Sequence, residues 1–163
     1  MARKVFTSFH YVPDNWRASQ VRNIGRIEGN SVVTSNKWEE VTNGGDSAIE
    51  KWIDDNMWGK SCVIVLVGAN TASRKWINYE MKKAWNEGKG IVAINIHNLL
   101  DINGNQSSKG KNPLENISVN NTNLSKIVKC YDPPYSISTN VYNHIKENIE
   151  NWIEEAITIR NKY

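Results

Sequence analysis

The sequence predicts an α/β protein: a three-layer, doubly wound sheet of about five mainly parallel strands in the order 2-1-3-4-5. Two observations carry this. Val63-Ile64-Val65-Leu66-Val67 and Ile91-Val92-Ala93-Ile94-Asn95-Ile96 are continuous aliphatic runs of the kind found in strands buried on both faces. Around them lie stretches with apolar residues at helical spacing, and right-handed βαβ crossovers then stack helices on both sides of a parallel sheet.

In chain order, Lys4 to Phe9 is the first strand. Asp14-Asn15 is placed to cap a helix over Trp16 to Ile27, with Trp16, Val21, Ile24 and Ile27 on its apolar side. Ser31-Val32-Val33-Thr34 is a short second strand, and a helix from about Asp46 carries Ile49, Trp52, Ile53 and Met57. Val63 to Val67 is the third strand, broken by Gly68-Ala69-Asn70-Thr71 before a helix with the stripe Ile77, Met81 and Ala84. Gly88-Lys89-Gly90 stops that helix and opens the fourth strand, Ile91 to Ile96. Residues 98–123, rich in Asn, Gly, Ser and Lys with a turn at Asn103-Gly104, are expected to form a long irregular insertion. Lys126 to Tyr131 is the fifth strand, Pro133-Pro134 ends it, and Asn140 to Arg160 is a closing helix. The order is that of a flavodoxin-like fold, and the 163 residues suit a single domain.

Composition gives several classes of function no support. A net charge of +3, with 20 basic residues scattered among 17 acids, gives no basic stripe for nucleic acid. No apolar run approaches the roughly 20 residues of a membrane span, and Met1-Ala2-Arg3-Lys4 leads into a strand rather than a signal-peptide core. The expectation is a cytoplasmic protein without nucleic-acid or membrane partners. Cys62 and Cys130 stand apart in β-type runs, as small buried thiols of a reducing compartment, and His10, His97 and His144 lack metal-ligand spacing, so no metal site is expected.

Phosphate-loop patterns fail on inspection. Gly59-Lys60-Ser61 has Asp54 where the first glycine is required and precedes a strand, and Gly104 to Lys111 is followed by Asn112 where a hydroxyl must hold magnesium. A phospho-receiver domain would need clustered acids after strand 1 and an Asp after strand 3, where this chain has Ser8-Phe9-His10 and Gly68-Ala69-Asn70.

In a sheet of this order a ligand sits beyond the carboxyl ends of strands 1 and 3, where the winding reverses. Ser8-Phe9-His10-Tyr11 and Gly68-Ala69-Asn70-Thr71 end those strands, and Glu80 follows on the next helix at the edge of its apolar stripe, with Trp76 one turn earlier. The bland alternative for Glu80 is a solvated ion pair with Lys83 at i+3. A helix begun at Ala72 would put Glu80 about 12 Å down its axis, too deep for the crevice, so Thr71 to Arg74 is expected to be an irregular lead-in.

These segments resemble the TIR domains, in particular the TIR-like proteins of bacterial Thoeris antiphage defence. The resemblance rests on Val5 to Tyr11, Val65-Leu66-Val67-Gly68, Arg74-Lys75-Trp76-Ile77-Asn78-Tyr79-Glu80 and Ser108-Lys109-Gly110-Lys111-Asn112-Pro113, and covers most of the chain. It implies that Glu80 is catalytic and cleaves NAD⁺ between nicotinamide and ribose, with Ser8, Phe9, His10, Asn70, Trp76 and Tyr79 binding substrate. Trp76 would stack on a base or nicotinamide ring, Ser8 and Asn70 would bind ribose or phosphate, and His10 would meet the pyrophosphate. The implied activity is that of an NAD⁺ nucleosidase or ADP-ribosyl cyclase. Its cyclic ADP-ribose-type or related nucleotide would reach a downstream effector in antiviral defence. NAD⁺ enters as substrate and no resident cofactor is implied; a phage-derived trigger and self-association are the further partners. The polar stretch Asn36 to Gly45 departs from the interaction loop of eukaryotic adaptor TIR domains. Two rival functions remain at this point: a catalytically silent TIR scaffold acting by self-association, and a nucleoside deoxyribosyltransferase-like enzyme that also uses a glutamate.

Overall fold

A computed structural model describes residues 3–28 and 40–163. In chain order the elements are β1 (Val5–Ser8), α1 (Tyr11–Arg22), α2 (Gly45–Met57), β2 (Cys62–Val67), α3 (Lys75–Asn86), β3 (Gly90–Asn95), the hairpin strands β4 (Ser118–Val119) and β5 (Thr122–Asn123), β6 (Cys130–Tyr131) and α4 (Ser138–Asn161). A parallel sheet runs β1-β2-β3-β6, in register from Val5 opposite Cys62 and Cys62 opposite Gly90. That is the expected neighbour order of the first, third, fourth and fifth strands.

The expected second strand, Ser31 to Thr34, lies outside the described residues, as does part of Asn36 to Gly45. The chain nevertheless reaches the free edge of β1. Glu28 accepts from Val5 N–H at 2.8 Å and donates to the Arg3 carbonyl at 3.0 Å, whereas Lys4 turns its carbonyl the other way, to Ser61. Alternate residues of a strand address opposite neighbours, so Glu28 and β2 flank β1 on its two sides.

Strand alternation divides the core into two halves. Val5, Cys62, Ile64, Leu66, Val92 and Ile94 pack against Ala18 and Val21 of α1 and Val141, Ile145, Ile149 and Ile153 of α4. Phe6, Val63, Val65, Val67, Ile91 and Ala93 face Ile49, Ile53 and Met57 of α2 and Ile77, Met81 and Ala84 of α3. Helices on both faces leave β2 without a solvated residue, which is why its sequence reads as an unbroken apolar run.

Two elements depart from expectation. The first helix starts at Tyr11 and ends at Arg22, about five residues early at both ends. Pro13 fits its first turn because the N–H it lacks would have no partner there, and the first helical bond runs from Asp14 N–H to the His10 carbonyl. Asp14 is therefore a buried helical residue bonded to Arg17 at 3.0 Å and not a cap, Trp16 is half exposed, and Ile24 and Ile27 join the core from beyond the helix. The last strand shrinks to Cys130–Tyr131, because Leu124–Lys126 folds into a 3-10 turn capped by the Asn123 side chain.

Residues 98–123 hold more structure than their composition suggests. Asn120 and Asn121, with φ of 49° and 65°, turn the β4–β5 hairpin, and the segment buries Leu99 in the α1–α4 half of the core and Leu114 and Ile117 in the α2–α3 half. The expected turn at Asn103-Gly104 is present: Gly104 has φ of 78°, and the Asp101 carboxylate accepts from the N–H groups of Asn103 and Asn105.

Candidate active site

The lead-in to α3 decides where Glu80 lies. Thr71–Ser73 forms a single 3-10 turn, tied back by Gly68 N–H donating to Thr71 Oγ1 at 2.8 Å, and the helix proper begins at Lys75. Glu80 thus falls in the second turn of α3 and Trp76 in the first. Lys83 turns away to Glu87 at 2.6 Å and Asp54 at 3.2 Å, so the surface ion pair with Glu80 does not form.

Glu80 is buried, with 6 % of its surface exposed. Loss of hydration raises its pKa from 4.5 to about 8, and the nearby Ser8 hydroxyl offsets part of the rise. Ser8 Oγ and Glu80 Oε2 nonetheless each lack a hydrogen bond of proper geometry among the described residues. At neutral pH Glu80 is therefore held mainly as the neutral acid.

Above this pair opens a cavity of about 250 Å³ lined by Phe9, His10 and Tyr11 from the β1–α1 junction, Arg74, Trp76, Ile77 and Glu80 from α3 and its lead-in, with Val12, Thr42 and Ile49 completing the wall. It opens at the carboxyl end of β1, against α2 and α3; no residue of β2 or of the loop 68–71 after it is in the lining, so the expected convergence of that loop on the crevice is not seen. Orphaned polar atoms gather there: besides Ser8 and Glu80, His10 Nδ1 is buried without a partner. Buried polar groups are ordinarily hydrogen-bonded, so such a concentration marks a place where a ligand or water completes them. A larger groove of about 470 Å³ between the far ends of α2 and α3 has no such group, and its Lys83 is already paired with Asp54 and Glu87.

Charge is ordered across the cavity. Glu80 occupies the floor, and Arg74, exposed and with no side-chain hydrogen bond or ion pair among the described residues, stands at the lip as the N-cap of α3. Burial and the Arg74 charge lower the His10 pKa against a smaller opposing effect of Asp14, so His10 is a neutral imidazole at pH 7. Trp76 carries Lys75 over one face at 4.8 Å and meets Tyr79 edge-on at 5.3 Å.

Of the residues singled out from sequence, Phe9, His10, Trp76 and Glu80 line the cavity and Ser8 lies beneath it. Asn70 is exposed before the 3-10 turn, and Tyr79 points to Asp54 of α2, at 3.2 Å, so neither is in the lining. Arg74, Tyr11, Val12, Thr42, Ile49 and Ile77 line it without having been singled out. Arg74 could have been found as the cation just before the helix that bears the glutamate; Ile49 and Ile77 carry only the signal of a core stripe. Among the described residues no cluster of His, Cys, Asp and Glu could hold a metal ion, and no helix is long and apolar enough to cross a membrane.

Residues 6–101 match the family model described as Thoeris protein ThsB, TIR-like domain. The chain belongs to that family. It is also 31 % identical over 137 residues to a Bacillus cereus (strain MSX-D12) protein named "Putative cyclic ADP-D-ribose synthase ThsB1", a match covering 81 % of this chain and 71 % of the relative. The matched segment of this ThsB TIR-like domain runs from β1 through β3 and includes Ser8, His10, Arg74, Trp76 and Glu80.

Proposed function

We propose that this protein cleaves the nicotinamide–ribose bond of NAD⁺ at Glu80 and converts the ADP-ribosyl unit to a cyclic ADP-ribose-type nucleotide that signals to an effector in antiphage immunity. The observation that carries the reading is the buried, unpartnered Glu80 carboxyl beside Ser8 at the floor of a cavity whose lip is cationic. The cyclase named among its relatives supports the same chemistry.

The site suits a leaving group that needs no acid. Glycosidases generally pair two carboxyl groups because the departing oxygen must be protonated. In NAD⁺ the C1′–N bond breaks with its electron pair going to nicotinamide, which leaves as a neutral pyridine. The positive charge then rests on the ribose as an oxocarbenium-like centre. One carboxylate opposite C1′ stabilises that charge. Arrival of the cationic pyridinium ring favours the ionised form of Glu80, so binding itself drives off the proton that burial holds on the acid. A nucleophile of the same ADP-ribosyl unit then closes the ring on C1′, or water captures it as open ADP-ribose.

The polarity of the cavity fits such a ligand, with the carboxylate under the cationic end and Arg74 toward the anionic pyrophosphate. Its 250 Å³ is below the roughly 300–1,000 Å³ of sites that engulf a whole ligand. The nicotinamide riboside half fits inside, against Trp76, and the remainder lies across the rim. NAD⁺ is the substrate and no resident cofactor takes part.

The test is to incubate the wild type and Glu80→Gln with NAD⁺, with and without lysate from phage-infected cells, following nicotinamide release and product mass. Wild type is expected to release nicotinamide and give a product of cyclised mass, and the variant to lose at least about 100-fold in rate. Equal behaviour in every condition overturns the reading. Turnover of nucleosides without NAD⁺ would favour the deoxyribosyltransferase-like alternative.

A further inference from the structure

Breaking the nicotinamide–ribose bond is half of the proposed reaction, and the other half has a proton to place. When an oxygen nucleophile captures C1′, be it water or a hydroxyl of the same ADP-ribosyl unit, the O–C1′ bond forms and the O–H proton must leave. A positioned base assists such a step. Capture by a pyridine nitrogen differs, since the nitrogen brings a free lone pair and releases no proton.

His10 has the place and the chemistry to take that proton. It lines the cavity whose floor is Glu80, and its Nδ1 is buried without a hydrogen-bond partner among the described residues. The main chain fixes the residue: its carbonyl accepts the first bond of α1 from Asp14 N–H at 3.1 Å, while its side chain makes no capping bond. The ring is thus held at the wall with Nδ1 uncommitted, where buried polar atoms are ordinarily satisfied.

The charged groups around the ring keep it a base. Burial and Arg74 at the lip hold its pKa below the ordinary 6.5, with Asp14 of α1 opposing them more weakly, and Glu80 of α3 is itself held neutral by burial. A neutral imidazole offers an acceptor nitrogen; it lacks the charge that Arg74 brings to a phosphate, so the pyrophosphate contact expected of His10 falls to Arg74 instead. Once substrate has ionised Glu80, that carboxylate in the same cavity favours the imidazolium that proton uptake produces.

We propose that His10 is a second catalytic residue, whose Nδ1 takes the proton of the oxygen nucleophile as the O–C1′ bond forms and then loses it to solvent. The proposal rests on the NAD⁺ reading above and deepens it, dividing the work so that Glu80 stabilises the cationic ribose and His10 equips the nucleophile. The rival role is a hydrogen bond that holds substrate and moves no proton.

The experiment uses His10→Ala and His10→Asn with NAD⁺ and isotopically labelled nicotinamide, with and without lysate from phage-infected cells. Net consumption of NAD⁺ reports capture by oxygen, and entry of label into NAD⁺ reports cleavage and recapture by nicotinamide, which needs no base. Both variants are expected to consume NAD⁺ about 100-fold more slowly, the worth of a general base, while exchange stays within about threefold of wild type. Asn is a favoured residue before a helix, and its amide can hydrogen-bond near the place of Nδ1 but cannot take up a proton, so it should fold normally and rescue nothing. Recovery of consumption in His10→Asn would overturn the proposal in favour of the hydrogen bond. Equal losses of exchange and consumption, or unchanged consumption in His10→Ala, would overturn it too. A wild type that neither consumes nor exchanges NAD⁺ in any condition would bring down the NAD⁺ reading itself, and this proposal with it.

Discussion

The Ser8 hydroxyl, at the carboxyl end of β1, stands beside the Glu80 carboxyl of α3 and is the one described group that restrains its rise in pKa. Removing it in Ser8→Ala should push that pKa above its present value of about 8. If the ionised acid is the working form, each unit of rise costs about tenfold in the active fraction on the low-pH side. The variant is expected to lose roughly three- to tenfold in kcat/KM for NAD⁺ at pH 7, and most of that loss should disappear where the acid is fully ionised. A deficit independent of pH would mean that Ser8 contacts substrate without tuning Glu80.

The wild-type pH profile follows from the same acid. Since kcat/KM reports groups of the free enzyme, it should climb with pH and level off above about 8, the raised value for Glu80. On the proposed reading the limb in kcat should lie at lower pH, because a bound cationic ring would stabilise the carboxylate. Initial rates of nicotinamide release across pH 5.5 to 9.5 check both; a profile that falls through this range would make the protonated acid the working form.

Glu80 also links stability to pH, with a sign opposite to that of a salt-bridged acid. Its folded pKa of about 8 exceeds the ordinary 4.5, so between those values the folded state keeps a proton that the unfolded chain has lost. Stability then falls as pH rises through this window and is level on either side. Glu80→Gln has no proton to lose, so its stability relative to wild type should improve from pH 4.5 to 8 by on the order of a few kcal/mol. Denaturant midpoints of the two proteins measured in parallel across this range provide the check, and a constant difference would show that Glu80 titrates normally.

What the sequence made legible was whatever is written locally. The runs in β2 and β3 have one reading because both their faces are covered, and the lead-in before α3 followed from the depth at which a longer helix would have placed Glu80. The start of α1 was missed because Asp14 has the makeup of a cap, and only the tertiary position of Arg17, bonded to Leu99 and Asn105 far along the chain, shows it to be an interior residue. Tyr79 and Glu80 are sequence neighbours, yet one faces α2 and the other the cavity, a division set by 100° per residue about an axis whose orientation the sequence does not state. The order within residues 98–123 was hidden for a similar reason. Its anchors, Leu99, Leu114 and Ile117, are isolated apolar residues in a polar stretch and show no period.

That insertion braces the site, and Gly110 is where the brace can be tested. A Cβ on Gly110 would overlap the carbonyl oxygen of Gly68 and crowd that of Ala69, and Gly68 is itself packed against the Asp14 carboxylate. Four residues on from Ala69, the 3-10 turn that sets the height of Glu80 ends, and Asn116 of the insertion donates to the Ala72 carbonyl within it at 2.8 Å. Gly110→Ala meets backbone on both contacts, so no side-chain rotation relieves it and the loop or the lead-in must move. Overpacking of this kind costs about 1–3 kcal/mol, a fall in Tm of roughly 3–10 °C for a chain of this size. Gly104→Ala is the control, because Gly104 has open space around it and the left-handed φ of 78°, so it carries backbone strain without pressing on the lead-in. Both variants should therefore lose stability, but only Gly110→Ala should lower the kcat for NAD⁺, by about tenfold if Glu80 is displaced by a fraction of an ångström to an ångström. Equal kcat in the two variants, at matched loss of stability, would separate the insertion from catalysis and leave it as packing alone.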